Sequence, residues 1–180
     1  MPGPPKFCAI CLLTILKKFG KIYIEKRKGD DTMYKAIYFD MDGTIADLYG
    51  VDSWLDYLIA GKTKPYREAK PLVNMRQLAK VLNTLKAQGW EVGIISWLSK
   101  SGSDEYGERV AKTKEAWLKK HLGSVNFDEI KIAKYGTPKQ FLADHPFGIL
   151  FDDEQPNRDA WVGEAYDVHN ILEVLTTIAA

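Results

Sequence analysis

The chain has 180 residues, 46% hydrophobic and 27% charged, and its 25 lysines and arginines against 24 acids leave a formal charge of +1. That length suits one ordinary domain with a real core and is too short for two of typical size, and the composition excludes wholesale disorder. A charge so near zero argues against a nucleic-acid scaffold and against a polybasic membrane binder.

Residues 1–32 do not fit the rest. Turn-forming prolines lead into about ten mostly apolar residues, too few for a bilayer, which needs about 20. Lys6 before an apolar stretch has the look of a signal peptide, but "KKFGKIY" offers no small-x-small cleavage site. Lys28, Gly29 and Asp30 can be encoded AAA-GGA-GAT, a purine-rich ribosome-binding run just ahead of Met33. Residues 1–32 are therefore read as a leader or non-native extension, with no function placed there, and 33–180 as the core domain. Cys8 and Cys11 form a lone C-x-x-C that cannot complete a tetrahedral zinc site. Two thiols near one terminus also do not frame a disulfide-held fold, which favours a reducing, cytoplasmic setting.

After Met33 the punctuation is regular. "KAIYFD" (35–40) is a short run of strand formers ending in acid, and "VDSWLDYLIAG" (51–61) places Trp54, Leu55, Leu58 and Ile59 at helical spacing before a glycine stop. "KTKPYREAKP" reads as a polar loop bracketed by Pro65 and Pro71. Between Leu72 and Gly89 a stripe of Met75, Leu78, Val81, Leu82 and Leu85 predicts a core-facing helix. "WEVGIIS" (90–96) predicts a buried strand; 103–123 begins with serine and acids and ends with lysines, the order a helix dipole favours. "EIKIA" (129–133) is strand-like, "PKQFLADH" a short helix, "FGILFDD" (147–153) a strand ending in acids, and "AYDV" with "NILEVLTTIA" a last strand and helix. Alternating strands and helices predict a parallel sheet covered on both faces, in which ligands sit at the carboxyl ends of the strands. Between Asp47 and Pro71 there is room for about one helix and a loop.

Those carboxyl ends collect chemistry. The first strand ends in Asp40 with Asp42 two residues on, the second ends in Ser96, and a strand near 150 ends in Asp152 and Asp153, with Lys139 shortly before it. Crowded carboxylates repel, so at neutral pH they need a cation or must share protons. Oxygen ligands without histidine or cysteine suit a hard ion, most naturally magnesium. A carboxylate held against such an ion can attack phosphorus and form an aspartyl phosphate that water then hydrolyses. Ser96 and Lys139 would hold phosphoryl oxygens. Lys134 also precedes the last acidic strand, but Lys139 lies nearer and at a helix start, and is preferred.

With "DMDGT" at 40–44, Ser96 after "VGII", Lys139 and the "DD" at 152–153 in this order, the sequence resembles the haloacid dehalogenase superfamily of phosphotransferases over residues 34–180. The resemblance implies an α/β fold, a three-layer Rossmann-like parallel sheet with a small helical cap at about 47–71, with Asp40 as nucleophile and Asp42 as general acid and base. It implies a magnesium ion held by the Asp40 carboxylate, the Asp42 main-chain carbonyl and Asp152, with Asp153 as a further ligand or orienting group. It also implies that Gly43 and Thr44 shape the turn at the phosphate site. A looser resemblance, through "FDMDGTIAD" and "ILFDDE", is to small 5'-nucleotidases acting on deoxyribonucleotides. The expected partner is a small phosphorylated substrate, with no nucleic-acid polymer and no membrane.

Trp54, Tyr57, Tyr66 and Trp97 are candidates to stack on a base, or else packing residues. Lys100 and Arg109 are candidates for a second anionic group, and Asn157 and Arg158 for orienting the acids. Two other readings use the same residue types: a receiver-like signalling domain, disfavoured because its acidic pair comes before its acceptor, and a catalytically silent phosphate-binding member of the same fold.

Overall fold

The computed structural model describes residues 34–180, so the leader reading of 1–32 lies outside the described residues. The elements run β1 (Ala36–Phe39), β2 (Ala46–Asp47), α1 (Trp54–Ile59), α2 (Lys64–Glu68), β3 (Lys70–Pro71), α3 (Met75–Ala87), β4 (Glu91–Trp97) and α4 (Asp104–Leu122). They continue with β5 (Glu129–Ala133), a 3-10 turn at Lys139–Phe141, β6 (Ile149–Phe151), α5 (Gln155–Ala160), β7 (Ala165–Tyr166), a second 3-10 turn at Val168–Asn170 and α6 (Ile171–Ala179).

Five strands pair in parallel in the order β5-β4-β1-β6-β7. The central three are the continuous apolar runs, as expected of strands covered on both faces. Ile37 lies between Val92 and Ile149, and Phe39 between Ile94 and Phe151. Side chains of period two sort the core into two layers. Ile37, Phe39, Ile94 and Phe151 face the stripe of α3 (Leu78, Leu82, Leu85), the C-terminal half of α4 (Trp117, Leu118, Leu122) and α6 (Ile171, Leu175). Ala36, Tyr38, Ile95 and Leu150 face the other way, onto Trp161, Leu142 and Ala143. The sheet is thus sandwiched, but the second outer layer is thin, built from a 3-10 turn, a loop and the end of α5. Each fully buried large apolar side chain stabilises the fold by about 1.5–3 kcal/mol.

The two long helices start where their caps dictate. The Asn74 side chain accepts from the Gln77 N–H at 3.2 Å and the Ser103 hydroxyl accepts from the Tyr106 N–H at 3.2 Å, each satisfying a donor that the first turn leaves orphaned. Asp104 and Glu105 open α4, and Lys119, Lys120 and His121 close it.

Between β1 and α3 the structure departs from the sequence reading. The segment read as a polar loop contains α2, with Pro65 in its first turn where a missing N–H costs nothing, and β3, which pairs antiparallel with β2. Neither piece is long enough to show a hydrophobic period. The helix expected over 51–61 shrinks to α1, which buries none of its residues; Leu55 and Ile59 are exposed. "PKQFLADH" makes only a single 3-10 turn, and α5, which the pattern did not predict, follows β6. Among the described residues no helix is long and apolar enough to cross a membrane.

Candidate active site

The strand order reverses direction at β1, whose neighbours are β4 on one side and β6 on the other. At such a switch point the loops beyond the strand ends separate and leave a crevice. Asp40 follows β1 directly and Asp152 follows β6, and the Asp40 N–H donates to the Phe151 carbonyl at 2.9 Å, stitching the two strand ends together. Carboxylate oxygens of Asp40, Asp152 and Asp153 lie within 4.8 Å of one another. Asp40 and Asp152 are both buried, Asp152 completely.

Lys139 enters this cluster from the thin layer. Its ammonium lies 3.1 Å from Asp40 Oδ1 and 2.5 Å from Asp152 Oδ2, with 2% of the residue exposed. The Trp97 ring backs it at 4.9 Å, and the Trp97 indole N–H donates to the Thr137 carbonyl at 2.8 Å, which anchors the loop that carries the lysine. Burial works against the Lys139 charge, but Asp40 and Asp152 outweigh it and its pKa is raised. Lys134, the other candidate, is exposed and pairs with Asp104 at 3.5 Å.

One lysine does not balance three carboxylates. Burial, and then the charges of Asp40 and Asp152, push the Asp153 carboxyl up to about 7. Burial and Asp40 also raise Asp152, against the pull of Lys139 and Asn157. This donor set fits a hard divalent cation: three clustered oxygens of the preferred type, still short of positive charge with Lys139 in place.

The surrounding contacts fix the acids. Asp152 Oδ1 accepts from the Glu154 N–H at 2.9 Å and from Asn157 Nδ2 at 3.1 Å. Arg158 Nη1 donates to the main-chain carbonyls of both Asp152 (2.6 Å) and Asp153 (2.8 Å), and Nη2 lies 3.4 Å from Asp167. Thr44, fully buried, donates its hydroxyl to Asp153 Oδ1 at 3.2 Å and accepts from the Asp153 N–H at 3.1 Å. Gly43 has φ +77, and a Cβ there would sit 2.7 Å from Asp153 Cγ and 2.8 Å from Tyr49 Cε2, so both the turn and the space require glycine. The Gly43 N–H is spent on the Ala46 carbonyl at 2.9 Å. In this arrangement Gly43 and Thr44 hold Asp153 and the turn.

Asp42 and Ser96 form the other end of the site. Ser96 is the penultimate residue of β4 and is buried. Between it and Asp42 stands Lys114, which the sequence reading did not single out. Its Nζ lies 2.7 Å from Asp42 Oδ2, 2.9 Å from Ser96 Oγ and 2.6 Å from the Trp97 carbonyl. Burial raises the Asp42 pKa, and Lys114 pulls against that rise. A signal was present: Tyr106, Val110, Lys114, Leu118 and Leu122 recur every fourth residue, and all are buried. A lysine inside an apolar helical row faces the core with the row.

A cleft of about 320 Å³ opens over these groups, reaching Asp40, Asp42 and Ser96 at its base and Leu48, Tyr49, Trp54, Leu58 and Tyr66 on the cap side. Trp97, Lys100 and Tyr135 also line it. Trp54 packs edge-on against Tyr49 at 5.0 Å. Tyr57 is not part of the lining and is paired with Lys64 (2.9 Å), and Arg109 rests on Tyr106, also away from the cleft.

No family model matches the chain, and no curated protein matches it. Among solved structures the chain is similar to a D,D-heptose 1,7-bisphosphate phosphatase from Burkholderia thailandensis, with 11% identity, TM-score 0.49, and coverage of 81% of this chain and 99% of that one. It is also similar to an uncharacterized protein from Corynebacterium glutamicum ATCC 13032 Kitasato, with 16% identity, TM-score 0.42, and coverage of 82% and 95%.

Proposed function

We propose that the chain is a magnesium-dependent phosphomonoesterase of the haloacid dehalogenase type that works through an aspartyl phosphate on Asp40. One observation carries this reading: Asp40, Asp152 and Asp153 converge within 4.8 Å at the sheet's switch point, with Lys139 against two of them and a cleft above. Asp40, Asp152, Asp153 and the Asp42 main-chain carbonyl would hold the ion, which when bound neutralises charge on the phosphoryl group.

Asp40 attacks phosphorus, and the bond from phosphorus to the ester oxygen breaks as Asp42 gives that oxygen a proton. Water then attacks the phosphorus of the acyl phosphate, Asp42 takes its proton, and inorganic phosphate leaves with the Asp40 carboxylate restored. Lys139 and the Ser96 hydroxyl steady the phosphoryl oxygens. The aromatic and apolar wall of Tyr49, Trp54, Tyr66 and Trp97 supports a nucleotide as substrate, since a base stacked on such a ring gains about 1–3 kcal/mol. A cytoplasmic site of action accords with this substrate class.

Hydrolysis of p-nitrophenyl phosphate with and without magnesium tests the reading, followed by a panel of nucleotides and sugar phosphates. The expected result is metal-dependent turnover that vanishes in Asp40→Asn. Magnesium-independent turnover, or an active Asp40→Asn protein, contradicts it. Stable phosphorylation from acetyl phosphate without turnover would favour the receiver-like alternative.

A further inference from the structure

We infer that Lys114 is a positioning residue that holds the Asp42 carboxyl in the orientation needed to protonate the leaving group, an inference that rests on the phosphomonoesterase reading above. Lys114 occupies a core position of α4, between Val110 and Leu118 in the buried row, and is 0% exposed. A lysine there costs several kcal/mol unless its charge is paired and its donors are satisfied. Both conditions are met. An ammonium has three protons, and three acceptors stand at bonding distance: Asp42 Oδ2 (2.7 Å), Ser96 Oγ (2.9 Å) and the Trp97 carbonyl (2.6 Å). The Tyr66 ring, 5.2 Å away, closes over the group.

With each proton spent on the protein, Lys114 has none for a substrate oxygen, and this separates it from Lys139, whose ion-pair partners among the described residues are two carboxylates. Its effect on the reaction passes through the groups it holds. Engaging Asp42 Oδ2 leaves Oδ1 as the oxygen that exchanges the proton with the ester oxygen. The bonds to Ser96 Oγ and the Trp97 carbonyl fix the ammonium in place against Asp42. The anchor is firm, because the lysine projects from a 19-residue helix while Asp42 sits in a loop.

The test compares two esters of similar shape, phenyl phosphate, whose leaving group needs a proton, and p-nitrophenyl phosphate, whose leaving group departs without one. For each, kcat/KM reports phosphoryl transfer to Asp40 and is unaffected by the later hydrolysis. In Lys114→Met, kcat/KM for phenyl phosphate is expected to fall at least about tenfold further than for p-nitrophenyl phosphate, since general acid catalysis contributes about 10²–10⁴-fold. A difference of less than tenfold overturns the inference, because a structural or phosphate-binding role would depress both esters alike.

If the single variant does not fold, Asp42→Asn with Lys114→Met, which removes the buried charge and its partner together, is compared with Asp42→Asn alone on p-nitrophenyl phosphate. A further loss below tenfold supports action through Asp42, and a larger one overturns it. A wild-type protein that hydrolyses neither ester defeats the phosphomonoesterase reading itself, a result distinct from either of these.

Discussion

Two buried lysines serve the two ends of one site, and they are unlike. Lys139 comes from a three-residue 3-10 turn in the thin layer and meets Asp40 and Asp152, with Asp153 beside them. Lys114 comes from a long helix in the thick layer and meets one carboxylate, one hydroxyl and one carbonyl. The first end is left negative, and burial, with the charges of Asp40 and Asp152 behind it, lifts the Asp153 carboxyl to about 7. The second is balanced, charge for charge and donor for acceptor. An unbalanced cluster keeps a charge that an added cation would offset; a balanced one holds its own geometry.

The largest way to break this contrast is at Asp40, the proposed nucleophile. Asp40→Asn is expected to lower kcat by about 10⁴-fold or more, because the groups around it act as a unit. The same steady-state assay with a coupled phosphate readout checks it.

Next in size is Lys139→Ala, which leaves Asp40 and Asp152 facing each other without their shared ammonium. Activity should drop about 10²–10³-fold, the usual effect of losing a preorganised charge-stabilising donor. Thermal unfolding in magnesium-free buffer should shift down, and added magnesium should recover more of that loss in the variant than in the wild type.

The third prediction concerns pH. Asp153 has a folded-state pKa raised from 3.8 to about 7 in the absence of an ion. An acid whose pKa is raised by folding binds its proton more tightly in the native state, so stability falls as pH rises from about 4 through 7 and then levels off. The metal-free Tm should therefore decline across that window through this group. The stabilisation by magnesium should grow over the same window, and amounts to about 2.7 kcal/mol wherever its concentration is a hundred times the dissociation constant. Differential scanning calorimetry at pH 5, 6, 7 and 8, with magnesium and with a chelator, reads both trends.

The smallest effect sharpens the geometry. Gly43→Ala forces a Cβ against Asp153 Cγ and Tyr49 at positive φ, and should cost about 1–3 kcal/mol. Because the clash falls on Asp153, weaker magnesium affinity should accompany the lower Tm, as isothermal titration would show.

How much of this was legible in the sequence follows from where each residue sits. Asp40, Ser96 and Asp152 lie at the ends of apolar runs that could only be buried strands, so their convergence followed from topology. Lys139 is adjacent to such an end, and its preference over Lys134 followed from distance along the chain. Lys114 was hidden because "RVAKTKEAWLKK" carries four lysines and reads as a solvated face; the four-residue row from Tyr106 to Leu122 was the clue. The cap pieces β2, α2 and β3 are two to five residues long, shorter than any period that could reveal them. The charge deficit was legible too, since the strand ends bring three or four acids to one edge with a single lysine, Lys139; which carboxylates that lysine meets, Asp40 and Asp152, was not.

The central claim is that Asp40 becomes phosphorylated during turnover. Asp42→Asn protein, in which hydrolysis of the intermediate should be slowest, is mixed with p-nitrophenyl phosphate and magnesium, quenched in acid, and reduced with borohydride, which converts an aspartyl phosphate to homoserine. Peptide mass spectrometry should then find homoserine at position 40 alone. An unmodified Asp40 in protein that has released p-nitrophenol, or homoserine at another aspartate, would contradict the account.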